Sequence, residues 1–538
     1  MPLQNRILLS LALFSLVLLV ACGSSSSSAV PNNNGFSNGN LTGTYVFSSS
    51  GSDSTNGYLL DIAGAFTANG SGGITAGTID VIDPEYSPTV SSGVPVTSGS
   101  YTVSTDGRGL VTLNVSGASF TFAFALSTTS NGVSSHGTIS EFDDNGSGSG
   151  TLDLQTSLTG LSQLANPYAF NVSGWINDTP AASTGSVTFN SGGAITAGIQ
   201  DVNVNASTVL SGLTVTGGGA TLGSGTGPGT IIIDTSDFSA TFDFYPVDST
   251  HLKMIETDGN NFLAGDAFVQ TGAAIPSGAM VFTMAGGTVG PIAMGGLMTG
   301  DGQGDFSNGL EDYNDNGTLS SSQISFTGTA AGPASTGGRV LVNLDGFVPA
   351  SSWVIYPTAS AGLLMLEMDN DNVTQGVGYA QTATSFSTGS SGSNVGYGMN
   401  LSGFNLDEGI EVDDIAQFNA TSGTSNNMSG VFEENVSGVR QLGPANFTGT
   451  YTPDSPATGR GSISMPLLPS LLGELSLEYY VVDGSTILLI EGDTEQVSAG
   501  VFELQGSAGS GVAKNVASHH AMFTVHTFGR SRASKLRK

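Results

Sequence analysis

The sequence predicts an all-β protein of four tandem antiparallel β-domains, each of about eight strands arranged as a small barrel or sandwich. Three observations carry this: one pattern repeated four times, apolar residues alternating with period two, and polar positions filled by Ser, Thr, Asn and Gly.

The repeat reads Glu-x-Asp, six residues, Gly, four residues, Gln. It occurs as Glu141, Asp143, Gly150 and Gln155; as Glu256, Asp258, Gly265 and Gln270; as Glu367, Asp369, Gly376 and Gln381; and as Glu491, Asp493, Gly500 and Gln505. The closing glutamines lie 115, 111 and 124 residues apart, so each unit is domain-sized and too long for one propeller blade. A second pattern, Gly-x-x-acid, precedes the first in every unit: Gly77 and Asp80, Gly198 and Asp201, Gly309 and Asp312, Gly430 and Glu433. A third, Gly107-Arg108-Gly109, is echoed by Gly459-Arg460-Gly461. The units are read as 41–155, 161–270, 275–381 and 395–505.

Within a unit, Phe120, Phe122 and Phe124 alternate with Thr121, Ala123 and Ala125, and Phe242 and Phe244 alternate with Thr241 and Asp243. That spacing puts the aromatics on one face of a strand. Turn dipeptides that tolerate positive φ, among them Asn69-Gly70, Asn131-Gly132, Asn145-Gly146 and Asn316-Gly317, separate such runs. In the first unit these signals place strands near 44–49, 58–67, 73–82, 99–104, 109–115, 119–126, 134–142 and 150–155. The opening Gly-x-aromatic strand and the unit length make each unit similar in plan to avidin-like and lipocalin-like barrels. The similarity covers no binding motif and so implies no ligand.

Composition agrees with this class. Of 538 residues, 38% are hydrophobic and 10% charged, against about 25% charged in ordinary soluble domains, and 78 are Gly. All 43 acids fall between Cys22 and Lys514, where the only bases are Arg108, Lys253, Arg339, Arg440 and Arg460, leaving a formal charge of −38. Such a surface repels nucleic acid, which is not expected as a partner, and keeps the protein soluble.

Arg6 and the apolar run Ile7 to Val20, broken by Ser10 and Ser15, have the length of a signal-peptide core, shorter than the ~20 residues of a spanning helix. Leu19, Val20, Ala21 and Cys22 resemble a lipobox, the processing signal of bacterial lipoproteins. Cys22 is the only cysteine. The resemblance implies that residues 1–21 are a removed signal, that Cys22 carries lipid including palmitate, and that 22–40 is a flexible Gly/Ser/Asn spacer. It further implies an exported protein anchored to the cell envelope, with Gly23 after the cysteine suggesting the outer membrane. At the other end, 513–538 holds six of the chain's twelve bases and reads as a basic, disordered tail.

Signals for catalysis are sparse. His136 and His251 are the only histidines of the repeats, in different units and without partners indicated by spacing. The Gly-x-Ser-x-Gly at Gly35 to Gly39 lacks the strand and helix of a nucleophile elbow. Paired carboxylates could serve a glycosidase, but recurrence of Glu141, Glu256, Glu367, Glu491 and the four glutamines in every unit favours a framework role, supporting each unit's folding independently. Asp312, Asn314, Asn316 and Gly317 match the start of a calcium loop, although the twelfth position is Gln323, so calcium is the one cofactor expectation. The expected function is a lipid-anchored surface protein that binds or adheres to an envelope or extracellular ligand without catalysis. The alternative is an envelope carbohydrate hydrolase with a site at a domain junction.

Overall fold

The computed structural model describes residues 35–259, 261–270, 275, 277–320, 322–332, 335–359, 362–389, 395–422, 426–466 and 474–507. Cys22 with the signal segment and the basic tail 513–538 lie outside the described residues.

The second unit shows the plan. Its strands Pro167–Ile176, Thr179–Phe189, Ile195–Val204, Thr208–Thr221, Gly229–Thr235, Ser239–Pro246, His251–Glu256 and Asn261–Val269 pair antiparallel in chain order, and the eighth returns to the first to close a barrel. Closure leaves no free edge. Tyr168 lies opposite both Val269 and Val187, which fixes the register at the seam. Alternation then sorts side chains: Tyr168, Phe170, Val172, Ile231, Ile233, Phe242 and Phe244 fill the interior. The fourth strand is long and bent; its first half pairs with the third strand and its second half with the fifth.

The fourth unit, Val395–Asn405 to Gln496–Leu504, is a second closed barrel of eight strands. In the third unit, pairing of Pro291–Asp301 with Phe306–Asp315 closes the sheet, and Thr318–Leu319 adds a short extra strand. The first unit is a nine-strand sheet. Here the bent fourth strand is broken into Val90–Pro95 and Ser98–Val103, consecutive in the chain and at opposite ends of the sheet order. Pro95 supplies no N–H to continue the ladder. Sequence periodicity missed Val90–Pro95 because it follows the stretch 83–89, which Pro84 and Pro88 mark as a loop.

Of the turn dipeptides, Asn131-Gly132 and Asn316-Gly317 have positive φ at both residues, as a type I′ hairpin requires. Asn145-Gly146 differs: Gly146 opens the strand Gly146–Leu154 and its neighbour's side chain holds the turn.

The units pack head to tail. The first strands of each unit lie against the sixth to eighth strands of the next, and those of the fourth unit lie against Ala118–Leu126, His136–Glu141 and Gly146–Leu154 of the first. A heterologous interface repeated with the right rotation closes into a ring. The last described strand, Gly506–Ser507, completes it by pairing parallel with Thr128–Ser130 of the first unit.

Candidate functional site

The repeated framework residues stand at the four unit junctions. Each closing glutamine donates its backbone N–H to its own unit's first strand: Gln155 to Thr44, Gln270 to Pro167, Gln381 to Ala279 and Gln505 to Gly396. Each side chain reaches into the next unit. Gln155 Nε2 donates to Pro246 O (2.8 Å), Gln270 to Gly337 and Pro357, Gln381 to Thr458 and Val481, and Gln505, across the closing seam, to Asp106 and Leu126. The glutamines therefore join units, which differs from a role confined within each one.

The Gly-x-x-acid residues face the same junctions, and three of them meet an arginine of another unit: Arg108 and Arg460 of the third pattern, and Arg339 in the corresponding place of the third unit. Arg339 grips Asp201 with two donors (2.7 and 2.6 Å), and Tyr356 donates to the same carboxylate. Arg460 grips Asp312 likewise (2.6 and 2.8 Å), with Tyr480 donating at 2.7 Å. Arg108 bonds Glu433 across the seam, where Ala125 takes the tyrosine's place and the acid is one methylene longer. Bidentate guanidinium–carboxylate pairing fixes orientation as well as contributing energy. Two residues beyond the acid, Asn203 donates to the carbonyls of Glu367 and Asn372, Asn314 to those of Asp493 and Gln496, and Asn435 to those of Glu141 and Gly146.

The Glu-x-Asp pairs form the turns so gripped. Asp143 accepts from the backbone of Thr121 and Asn145, Asp493 from Ser476 and Glu495, Asp369 from Ser351 and Asp371, and Asp258 from Thr241. The glutamates are buried: Glu367 accepts from Thr374, Glu491 from Ser498, and Glu256 from Asn261. Burial, then the neighbouring Asp258, pushes Glu256 up to about 8. Burial likewise raises Glu141, Glu367 and Glu491 far above the carboxylate range.

The calcium-loop residues are committed elsewhere. Asp312 holds Arg460 and Tyr480, Asn314 spans to the fourth unit and accepts from Gly317 N–H, and Asn316 sits in the hairpin turn. Among the described residues, no group of three or more His, Cys, Asp or Glu has metal-binding geometry.

What the sequence kept apart, the ring brings together. His136 Nδ1 lies 2.6 Å from Asp153, and its Nε2 lies 2.9 Å from Glu503 of the fourth unit. Lys253 of the second unit bridges Asp153 (3.2 Å) and Asp266 (3.4 Å) and donates to Thr151, while His251 Nε2 meets Asp266 at 2.7 Å. All six charged or titratable groups are buried. Burial opposes charge on His136, yet Glu503 and Asp153 outweigh it and hold the imidazole up to about 10. Burial also opposes the Asp153 carboxylate, but Lys253 and His136 hold it well below its usual range. This chain locks units one, two and four.

A second buried set has no ion-pair partner among the described residues. Asp61 of the first unit, and Glu411 and Asp413 of the fourth, lie at the closing seam. Burial pushes Asp61 and Asp413 up to about 7.

A cavity of about 680 Å³ lies at one end of the first unit's sheet. Leu60, Ile79, Val94 and Phe120 wall it, and Asp83 and Tyr86 stand at its rim. Burial pushes Asp83 up to about 6. Tyr86 is 60% exposed. Sequence reasoning missed this site, since its rim is the stretch read as loop. Compared with protein-family models and with curated proteins, the chain matches none.

Proposed function

We propose that the protein is a lipid-anchored surface protein of the cell envelope that binds a ligand without turning it over. The cavity at the first unit's sheet carries this reading: it is concave, has an apolar wall of Leu60, Ile79, Val94 and Phe120, and adds polar groups that include the carboxylates of Asp83 and Asp144, a combination found in small-molecule sites. The ligand it suits is a small, largely apolar molecule with a hydrogen-bond donor for Asp83. The lipobox-like run ending at Cys22 supports the anchor, because two acyl chains hold a membrane where one does not.

The test uses the full chain with Nile red as an apolar probe. One saturable site is expected, weakened at least severalfold in Val94→Trp, which fills the cavity. Absence of saturable binding, or equal binding by the variant, refutes the reading. Cys22→Ser is expected to accumulate unprocessed precursor, and normal processing of it would remove the anchor from the proposal.

A further inference from the structure

The ring has two unlike faces. In every unit the first strand starts at one face, the near face, so the turns that follow the first, third, fifth and seventh strands lie on the other, the far face, with Val90–Pro95 and Ser98–Val103 counted together as one fourth strand. The junctions keep these faces in common. On the near side each closing glutamine bonds the end of the next unit's sixth strand, at Pro246, Pro357, Val481 and Leu126. On the far side Asn203, Asn314 and Asn435 meet residues at the next unit's seventh-to-eighth turn.

Charge divides with the faces. Exposed acids crowd the far one: Asp144 in the first unit, Asp178 and Asp237 in the second, Asp371 in the third, Glu408 and Glu495 in the fourth. Among the described residues the near face exposes only Asp301 and Asp305 as acids, both in the third unit and both accepting backbone N–H groups of their own loops. Both ends of the described chain leave by the near face of the first unit. Phe36 N–H donates to Thr105 O in the turn before Arg108–Val115, and Gly506–Ser507 pairs with Thr128–Ser130 just past the end of Ala118–Leu126. The turns that line the cavity, with Thr55, Tyr86, Gly117 and Asp144, belong to the far face.

We propose that the ring stands on an anionic lipid bilayer by its near face, with residues 513–538 meeting the headgroups and the acidic face, with its cavity, turned outward. This rests on the lipid anchor at Cys22, which brings the near face to the bilayer but does not fix the ring's tilt, because 22–40 reads as a flexible spacer. Charge fixes the tilt. Residues 513–538 carry six bases and no acid, and each Lys or Arg near an anionic surface strengthens its binding there. They follow on from the strand that leaves the near face, in the first unit, whereas Asp301 and Asp305 are in the third. The same surface repels the far face. A strand of nine residues, such as Gly146–Leu154, spans about 30 Å. That exceeds the ~8 Å screening length at physiological salt, so a bilayer at the near face feels little of the far one.

The experiment compares the two faces of one unit. Ser191, exposed in a near-face turn of the second unit, and Ser236, exposed in a far-face turn of it, are each replaced by Cys in the full lipidated chain and labelled with a fluorophore. The chain is reconstituted into vesicles of phosphatidylcholine with or without phosphatidylglycerol, both carrying a lipid with a nitroxide on its headgroup. With phosphatidylglycerol, quenching at Ser191→Cys should exceed that at Ser236→Cys severalfold. Without it, or in a chain that also carries Arg530→Glu, Arg532→Glu, Lys535→Glu and Arg537→Glu, the difference should shrink at least twofold. Equal quenching at the two positions in the anionic vesicles, stronger quenching at Ser236→Cys, or a difference untouched by the four tail substitutions overturns the proposal while leaving the anchor in place. A chain that floats with neither vesicle overturns both.

Discussion

Lys253 lies between two buried carboxylates of different units, Asp153 and Asp266, so Lys253→Met has a cost that follows from geometry. At 3.2 and 3.4 Å, each contact contributes about 5 kcal/mol of attraction at an effective dielectric of 20. Desolvation of the ammonium offsets several kcal/mol of that sum, and breaking a buried pair costs about 3–5 kcal/mol net because an unpaired charge remains. Methionine conserves the volume, so the loss is electrostatic. Its pH dependence separates this from a packing defect. In the wild type the Asp153 carboxylate is held below its ordinary range, so its contribution is complete above about pH 4 and fades as pH falls through the lowered value. Without Lys253, Asp153 keeps only His136 against the cost of its burial, so its carboxylate is favoured less and the variant loses stability relative to the wild type as pH rises. Denaturant melts at pH 5 and pH 8 should show the larger deficit at pH 8. A deficit below about 1 kcal/mol, or one independent of pH, refutes the account.

Glu256 is buried and raised to about 8, so the wild-type turn loses stability as pH climbs from about 4.5 through 8; Glu256→Gln should flatten thermal melts between pH 5 and pH 9. Asp61→Asn should stabilise the closing seam at pH 8 and not at pH 4, since a carboxylate raised to about 7 is penalised only where it must ionise; equal shifts at both values contradict this. Gln505→Ala leaves the carbonyls of Asp106 and Leu126 without their donor, costing about 1–3 kcal/mol, and hydrogen exchange should report faster opening between units four and one than between two and three.

The fold was legible because its signals are local or periodic. Phe120, Phe122 and Phe124 face one core for the same reason that Phe242 and Phe244 do, and period-two alternation records it. The opposite faces carry Ala123, Ala125, Asp243 and Tyr245, small or polar residues that look like solvent positions but face the neighbouring unit. Recurrence exposed Asp201, Asp312, Gln270 and Gln381, since residues of a repeated junction must repeat. It did not reveal that Arg460 pairs with Asp312 or that His136 meets Glu503. Those partners are 148 and 367 residues apart and share no local spacing. The cavity of the first unit was illegible for the same reason: its wall draws on Leu60, Val94 and Phe120, which lie on separate strands.

A ring assembled from four identical chains would have four identical junctions, because one mutation changes all of them together. Joining the units in one chain lifts that constraint, and the junctions have diverged. Between units two and three, and three and four, an arginine, an aspartate and a tyrosine form the same polar lock. Between units one and two, Ile82 replaces the asparagine seen as Asn203 and Asn314, and Val46, Trp175 and Phe262 make an apolar contact instead. Divergence extends to where three units meet. Units two, three and four share an apolar cluster with Phe268, Tyr379, Leu364 and Val501, whereas one, two and four meet in the chain from Glu503 through His136 and Lys253 to His251. An apolar contact tolerates small shifts, but a buried ionic chain holds only in one alignment of its partners. The ionic chain therefore sets the register of the first unit, the one with the open cavity, against both its neighbours, while the apolar cluster supplies cohesion for the rest.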